Sequence, residues 1–221
     1  MDRDRALIAA VGAPGGPDRL ERVFAWASPA LSLGRSNDEA GIDRESLNRA
    51  GIELVRRPTG GGALLHGTDV SYSVAVRRPR GGGGPDLVAE GRALAAPVRA
   101  ALRALGLEVE FRPCAACDGA TPGEGEGPGG LPLCFLQRTP FDLLVAGRKV
   151  AAFALRRTAG VLFLHGSVLV ALPSSDSIEA LARAGAATKS GWTRALGEVT
   201  SLSETGGVGK GDLVEALAHL A

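Results

Sequence analysis

The sequence has no excess of charge of either sign, no long apolar run and little cysteine. Lys plus Arg number 25 against 24 for Asp plus Glu, a formal net charge of +1 over 221 residues. Proteins that grip nucleic acid or anionic membrane surfaces ordinarily carry a basic excess, so neither is an expected partner. No apolar run reaches the roughly 18 residues that a membrane-spanning helix needs. The start, Met1-Asp2-Arg3-Asp4-Arg5, mixes acids with bases and leads into no long apolar core. It does not read as a secretory signal, and a cytoplasmic protein is expected. Three cysteines, an odd number without an export signal, argue against a disulfide framework. Aromatic residues make up only 4 %, whereas glycine is abundant at 32 residues. The length suits one substantial core, read as a single domain over residues 1–221.

Apolar spacing predicts a helix over residues 1–12, with Leu7, Ile8 and Val11 on one face. Strands are expected at 22–26 and 30–33, a helix at 42–50 entered through Asp43, and a strand at 52–56. Residues 70–76 alternate as a strand, and 87–105 form the longest helical pattern, closed by Gly106. After a short strand at 109–112, residues 113–131 are rich in Gly, Pro and Glu and read as a mobile loop. Strands at 134–135, 141–145, 149–155 and 161–172 follow, and helices at 177–184 and 212–220 end the chain. Strands outnumber helices and come in hairpin-like pairs. The fold class is therefore α+β, with a mixed, largely antiparallel sheet and flanking helices, not a doubly wound βαβ fold.

The most informative stretch is Arg56-Arg57-Pro58-Thr59-Gly60-Gly61-Gly62-Ala63-Leu64-Leu65-His66. Three glycines between apolar segments allow backbone angles closed to other residues and let a ligand approach the main chain. Exposed N–H groups in such a loop can bind an anion, and the arginine pair adds charge. No Gly-Lys-Ser/Thr follows as in a P-loop, and no G-x-G-x-x-G opens a helix. The bland alternative is a flexible turn with two solvated arginines, the reading given to the second glycine run at 81–84.

Residues 56–66, continued by Ser71-Tyr72-Ser73-Val74, resemble the Arg-Arg-x-x-Gly-Gly-Gly…His signature of lipoate-protein ligases and lipoyl or octanoyl transferases. Further segments resemble the family in order: Ala30-Leu31-Ser32-Leu33-Gly34-Arg35, then Phe141-Asp142-Leu143 with Gly147-Arg148-Lys149-Val150. Arg156-Arg157, Leu164-His165-Gly166-Ser167 and Val199-Thr200-Ser201-Leu202 complete the series, over roughly residues 20–205. The resemblance implies a fold shared with biotin-protein ligases and related to class II aminoacyl-tRNA synthetase cores. In that fold a sheet holds an acyl group beside the glycine loop. The binding residues it implies are Arg56, Arg57, Gly60, Gly61, Gly62, His66, Ala152, Phe153 and His165.

Alternation places Lys149, Ala151 and Phe153 on one strand face, and an ammonium aimed into a cleft can stabilise an oxyanion or acyl-phosphate. The alternative is a surface lysine after a turn. Cys134 matches the Cys-Phe position that carries the acyl thioester in one octanoyltransferase branch of the family. It is read as a nucleophile whose thiolate a nearby cation favours, against a small buried hydrophobe. Cys114 and Cys117 form a CxxC with no second ligand pair for zinc and no βαβ context for redox work, so they are read as two loop thiols. His66 and His165 are expected to hold the loop by hydrogen bonds or to touch the acyl-donor carbonyl. Nothing in the sequence pairs either with a carboxylate, and His219 is expected at the surface.

The segment Ala151-Ala152-Phe153-Ala154-Leu155 departs from the family pattern, in which Gly, a small polar residue and Gln are usual at 152, 153 and 155. Added bulk there predicts a shortened acyl pocket. The chain also begins near the first helix of the family core, and the accessory domain of many ATP-dependent ligases is not read after it. Three functions follow. In the first, Cys134 takes an octanoyl group from acyl carrier protein and passes it to a lysine of a lipoyl domain, in a 2-oxoacid dehydrogenase or glycine cleavage protein. In the second, lipoate, ATP and Mg²⁺ give lipoyl-adenylate on the glycine loop and Lys149, with Asp142 a weak candidate near the metal. In the third, a degenerate homologue binds an acyl cofactor or a partner.

Overall fold

A computed structural model describes residues 1–78, 86–113, 131–158, 160–186 and 188–219. Cys114, Cys117, the glycine run at 81–84 and nearly all of the loop expected at 113–131 lie outside the described residues. The helices are α1 (Asp2–Gly12), α2 (Arg44–Arg49), α3 (Leu87–Ala104), α4 (Ser175–Arg183), α5 (Lys189–Gly197), α6 (Leu202–Thr205) and α7 (Lys210–Ala218). The strands are β1 (Arg19–Ala25), β2 (Ala30–Leu33), β3 (Glu53–Arg56), β4 (Leu64–His66), β5 (Asp69–Arg77), β6 (Glu110–Phe111), β7 (Leu143–Val145), β8 (Arg148–Thr158) and β9 (Val161–Leu169). They form two sheets. A six-stranded antiparallel sheet runs β1-β5-β9-β8-β7-β6, and a three-stranded mixed sheet runs β3-β2-β4. The α+β architecture expected from the sequence is the one observed.

The large sheet is apolar on one face and polar on the other. Val70, Tyr72 and Val74 of β5 and Leu162, Leu164 and Val168 of β9 pack with Leu94, Val98 and Leu102 of α3 and Leu213 and Leu217 of α7. The intervening residues Asp69, Ser71 and Ser73 of β5 and His165 and Ser167 of β9 point to the opposite face, as strand alternation requires. That face is not wet. The small sheet and α1 cover it, and all five side chains are buried. Val11 of α1 packs there on Ala75, Val161 and Phe163, with Leu7 and Ile8 beside it.

One expected strand is not found, and one helix was not expected. Residues 134–135 are not a strand: Leu133 makes a single parallel bridge with Ala63, and the chain then turns. Helix α5 went unread because Lys189–Gly197 contains two glycines and little apolar periodicity. It forms because Thr188 caps it and because Trp192 and Ala195 fill the core around the small sheet.

Candidate functional site

The site lies where the glycine loop meets the segment carrying Cys134. Ala63 N–H donates to Pro132 O at 2.6 Å, and Cys134 N–H donates to Ala63 O at 2.9 Å. Gly62 sits against this bridge so closely that a Cβ there would fall 2.3 Å from Pro132 O and 2.8 Å from Cys134 N. Its N–H donates to Gln137 Oε1 at 2.8 Å. The N–H groups of Gly60 and Gly61 meet no partner among the described residues. They are two free main-chain donors in the loop whose next residues, Gly62 and Ala63, touch the backbone of Cys134, a free and half-buried cysteine.

Arg57 holds this loop from behind. Only 3 % exposed, it donates through Nε and Nη2 to Gly60 O (3.2 and 2.9 Å), through Nη2 to Gly62 O (2.5 Å), and through Nη1 to Ser32 O (3.0 Å) and Ser32 Oγ (3.1 Å). Among the described residues it has no carboxylate partner. Burial accordingly pushes its pKa down, and the charge on a Cys134 thiolate works in the opposite direction. A buried cation served only by neutral carbonyls and one hydroxyl favours an anion close by. Arg56 is placed differently. It binds the carbonyls of Gly34 (3.0 Å) and Asn37 (2.8 Å) and pairs with Glu39 at 3.2 Å on the loop's outer side.

Lys149 is 1 % exposed, and its ammonium turns to the segment bearing the thiol. It pairs with Asp142 Oδ2 at 3.0 Å and donates to Cys134 O at 3.4 Å and to Gln137 O. With three partners its three N–H groups are occupied, so in this arrangement Lys149 shapes the turn that carries Cys134. Asp142 is equally committed. Thr139 donates to both its oxygens, N–H to Oδ2 (3.0 Å) and Oγ1 to Oδ1 (2.8 Å), and Arg112 Nε lies 3.6 Å away. A carboxylate so engaged does not fit a Mg²⁺ ligand, and no group of three or more His, Cys, Asp or Glu able to hold a metal occurs among the described residues.

The shared face expected for Lys149, Ala151 and Phe153 is not found. The β7–β8 ladder slips by one residue, Leu144 facing Lys149 but Leu143 facing Ala151, so that Val150 is an extra residue on β8. Val150, Ala151 and Phe153 all enter the helix-covered core, with Leu155 packed beside them, while the Lys149 side chain leaves on the other side. Phe153 fills the space over Gly166, where a Cβ would lie 2.1 Å from its ring. Ala152 and Ala154 alternate with it and fall on the polar face, opposite Ser167 and His165 in register. Of the bulk read as shortening an acyl pocket, Phe153 and Leu155 therefore lie on the helix-covered side of the sheet, and only the methyl of Ala152 lies on the polar face.

Both histidines have carboxylate partners that the sequence reading did not find. His66 Nδ1 lies 2.7 Å from Asp69 Oδ2, its Nε2 lies 2.8 Å from Ser32 Oγ, and Trp26 stacks on its ring at 4.2 Å. A carboxylate three residues beyond a histidine, across the turn at Gly67, was the available signal. His165 Nδ1 meets Asp4 Oδ2 at 3.0 Å, across 161 residues, and no local pattern announces such a pair. Burial drives the His165 pKa down against the pull of Asp4, so the ring is neutral, with Nδ1–H on Asp4. Its Nε2 then carries a lone pair that meets no partner. His219 is exposed.

Asp69 is a strong carboxylate. Burial alone would raise its pKa, but the His66 charge and the hydrogen bonds from His66, Ser167 and Gly67 N–H outweigh burial and hold it at about 2. The native state therefore gains stability from ionised Asp69 above the unfolded value of 3.8 and loses it as pH falls toward 2, a contribution on the order of 2 kcal/mol. Asp69→Asn is expected to flatten the stability profile between pH 4 and 2 in urea titrations followed by circular dichroism. An unchanged slope would contradict this account of the network.

The chain as a whole is similar to known proteins. The sequence profile of the lipoyl protein ligase A/B catalytic domain matches residues 1–218. The octanoyltransferase LipM of Moorella thermoacetica is 36 % identical over 160 residues, covering 70 % of this chain and 55 % of that protein. The LipM of Geobacillus kaustophilus is 33 % identical over 157 residues, covering 68 % of this chain and 54 % of that protein. The chain thus spans a little over half the length of these curated relatives. Among solved structures, a putative lipoate protein ligase from T. acidophilum with bound lipoic acid superposes with a TM-score of 0.65 at 21 % identity. That superposition covers all of this chain and 79 % of that one. Lipoate-protein ligase A bound with ATP gives a TM-score of 0.66 at 21 % identity, over 97 % of this chain and 76 % of that one. The structural likeness establishes the fold, and the profile and sequence matches establish kinship: the chain belongs to the lipoyl protein ligase A/B catalytic domain family.

Proposed function

We propose that the protein is a cytoplasmic octanoyltransferase, one catalytic domain over residues 1–221, that works through a thioester on Cys134. The observation that carries this reading is the main-chain bridge that joins the Cys134 segment to the glycine loop, with two loop N–H groups free and the uncompensated Arg57 behind the loop. The Cys134 thiolate attacks the carbonyl carbon of an octanoyl thioester on acyl carrier protein. The oxyanion is met by Gly60 and Gly61 N–H. Collapse breaks the bond to the carrier thiol, which leaves as thiolate and takes a proton from solvent. The amine of a lipoyl-domain lysine then attacks the acyl-enzyme, loses a proton, and the Cys134 thiolate is released. The LipM relatives, named octanoyltransferases, support transfer of an octanoyl group.

ATP-dependent ligation is the runner-up, because free loop amides and Arg57 would also suit a phosphate. The degenerate-binder reading, which rests on Ala152, Phe153 and Leu155, keeps only Ala152 on the polar face, since Phe153 and Leu155 pack in the helix-covered core. The test is acylation of a purified lipoyl domain by the full chain, with octanoyl-acyl carrier protein and no nucleotide in one arm and lipoate plus ATP in the other. Transfer in the first arm, lost in Cys134→Ala, is expected; transfer in the second arm alone, unaffected by Cys134→Ala, would sink the proposal.

A further inference from the structure

One buried array beside the glycine loop is not used by the acyl-transfer scheme. Asp69 Oδ2, His66 Nδ1 and Nε2, and Ser32 Oγ follow one another at 2.7 and 2.8 Å, the atoms and order of a nucleophilic triad. Ser32 is not placed for attack. It is fully buried in the middle strand of the small sheet, and its Oγ already accepts from Arg57 Nη1 at 3.1 Å. The chain of contacts is nevertheless continuous. With Nδ1–H donated to Asp69, His66 Nε2 accepts the Ser32 O–H when the ring is neutral and donates to Ser32 Oγ when it is charged, and in both states Ser32 Oγ keeps a lone pair for Arg57. Arg57 is thereby held from one side by Ser32 and on the other holds Gly60 O and Gly62 O. In a trans peptide the C=O and the following N–H point in opposite directions. Drawing Gly60 O toward Arg57 turns Gly61 N–H away from it, toward the free side of the loop.

We propose that His66 is a positioning residue of the acyl site: through Ser32 it aims Arg57, and through Arg57 it sets the Gly60–Gly61 peptide, whose free N–H receives the oxyanion. Only that last step rests on the transferase reading. Asn at 66 would offer an amide near the place of Nδ1, within reach of Asp69 but not of Ser32. Gln would offer one near the place of Nε2 and keep Ser32.

Hydrogen–deuterium exchange of the full chain without substrate reads the loop directly. Ser32→Ala and His66→Asn are expected to speed exchange at the Gly62 and Ala63 amides by at least roughly tenfold, with β5 and β9 unchanged. His66→Gln should remain near wild type, and the Ser32→Ala/His66→Asn pair should be no worse than either change alone. The rate constant for octanoyl loading of Cys134 should fall in step with loop exchange, while the KM for the donor holds. Unchanged loop exchange in Ser32→Ala and His66→Asn, an equal loss in His66→Gln, or a rise spread through β5 and β9 would each overturn the proposal. A wild-type chain that accepts no octanoyl group would end the transferase reading and leave the exchange result standing.

Discussion

Lys149→Met is expected to abolish acylation and to cost about 3–5 kcal/mol of stability, because it leaves the Asp142 carboxylate buried without its closest cation. The two losses separate. Asp142→Asn in the same chain removes the stranded charge while an amide oxygen can still accept from Thr139, so Lys149→Met/Asp142→Asn should regain most of the stability. It should not regain activity, since nothing then ties the carbonyls of Cys134 and Gln137. Urea denaturation and acyl loading measured on the same three proteins check both halves. Recovery of activity together with stability would show that Lys149 matters only as half of an ion pair.

Gly62→Ala is expected to have a similar effect on activity by a different route. Its Cβ would fall 2.3 Å from Pro132 O and 2.8 Å from Cys134 N, and both are main-chain atoms that no rotamer change can move away. The bridge between Ala63 and Leu133 must open, and Cys134 moves with it. A misplaced nucleophile and donor set together should lower loading by roughly 100- to 1,000-fold, with about 1–3 kcal/mol of destabilisation from overpacking. Gly60→Ala is the control, because a Cβ there has no atom within 4 Å. That variant should fold and melt like wild type. Equal stability for the two variants would show that the close approach at Gly62 is not maintained in solution.

Much of this site was legible in the sequence because its components are local. The glycine loop, the arginine pair, Lys149 after a turn and Cys134 beside Phe135 each stand out within a few residues, and their family order adds specificity. The large-sheet strands and α3 were readable from period alone. What could not be read depends on register and on distant partners. One extra residue, Val150, reverses the outlook of everything after it on β8, and so moved Phe153 from an imagined acyl pocket into the core. The serines of β5 alternate as a half-wet strand does, and only α1 and the small sheet laid over them make the face dry. Asp4 and His165 meet across the whole chain. Arg57, read as a ligand-binding cation, turns its donors inward because five hydrogen bonds to main chain and Ser32 exceed what solvent offers a buried guanidinium.

The account turns on Cys134 as the acyl carrier, and intact-mass spectrometry tests that most directly. The full chain is mixed with octanoyl-acyl carrier protein without nucleotide, and its mass is recorded before and after hydroxylamine. The expected result is one octanoyl adduct that hydroxylamine removes and that Cys134→Ala does not form. An adduct persisting in Cys134→Ala, or no adduct on a chain that still acylates a lipoyl domain, would contradict it.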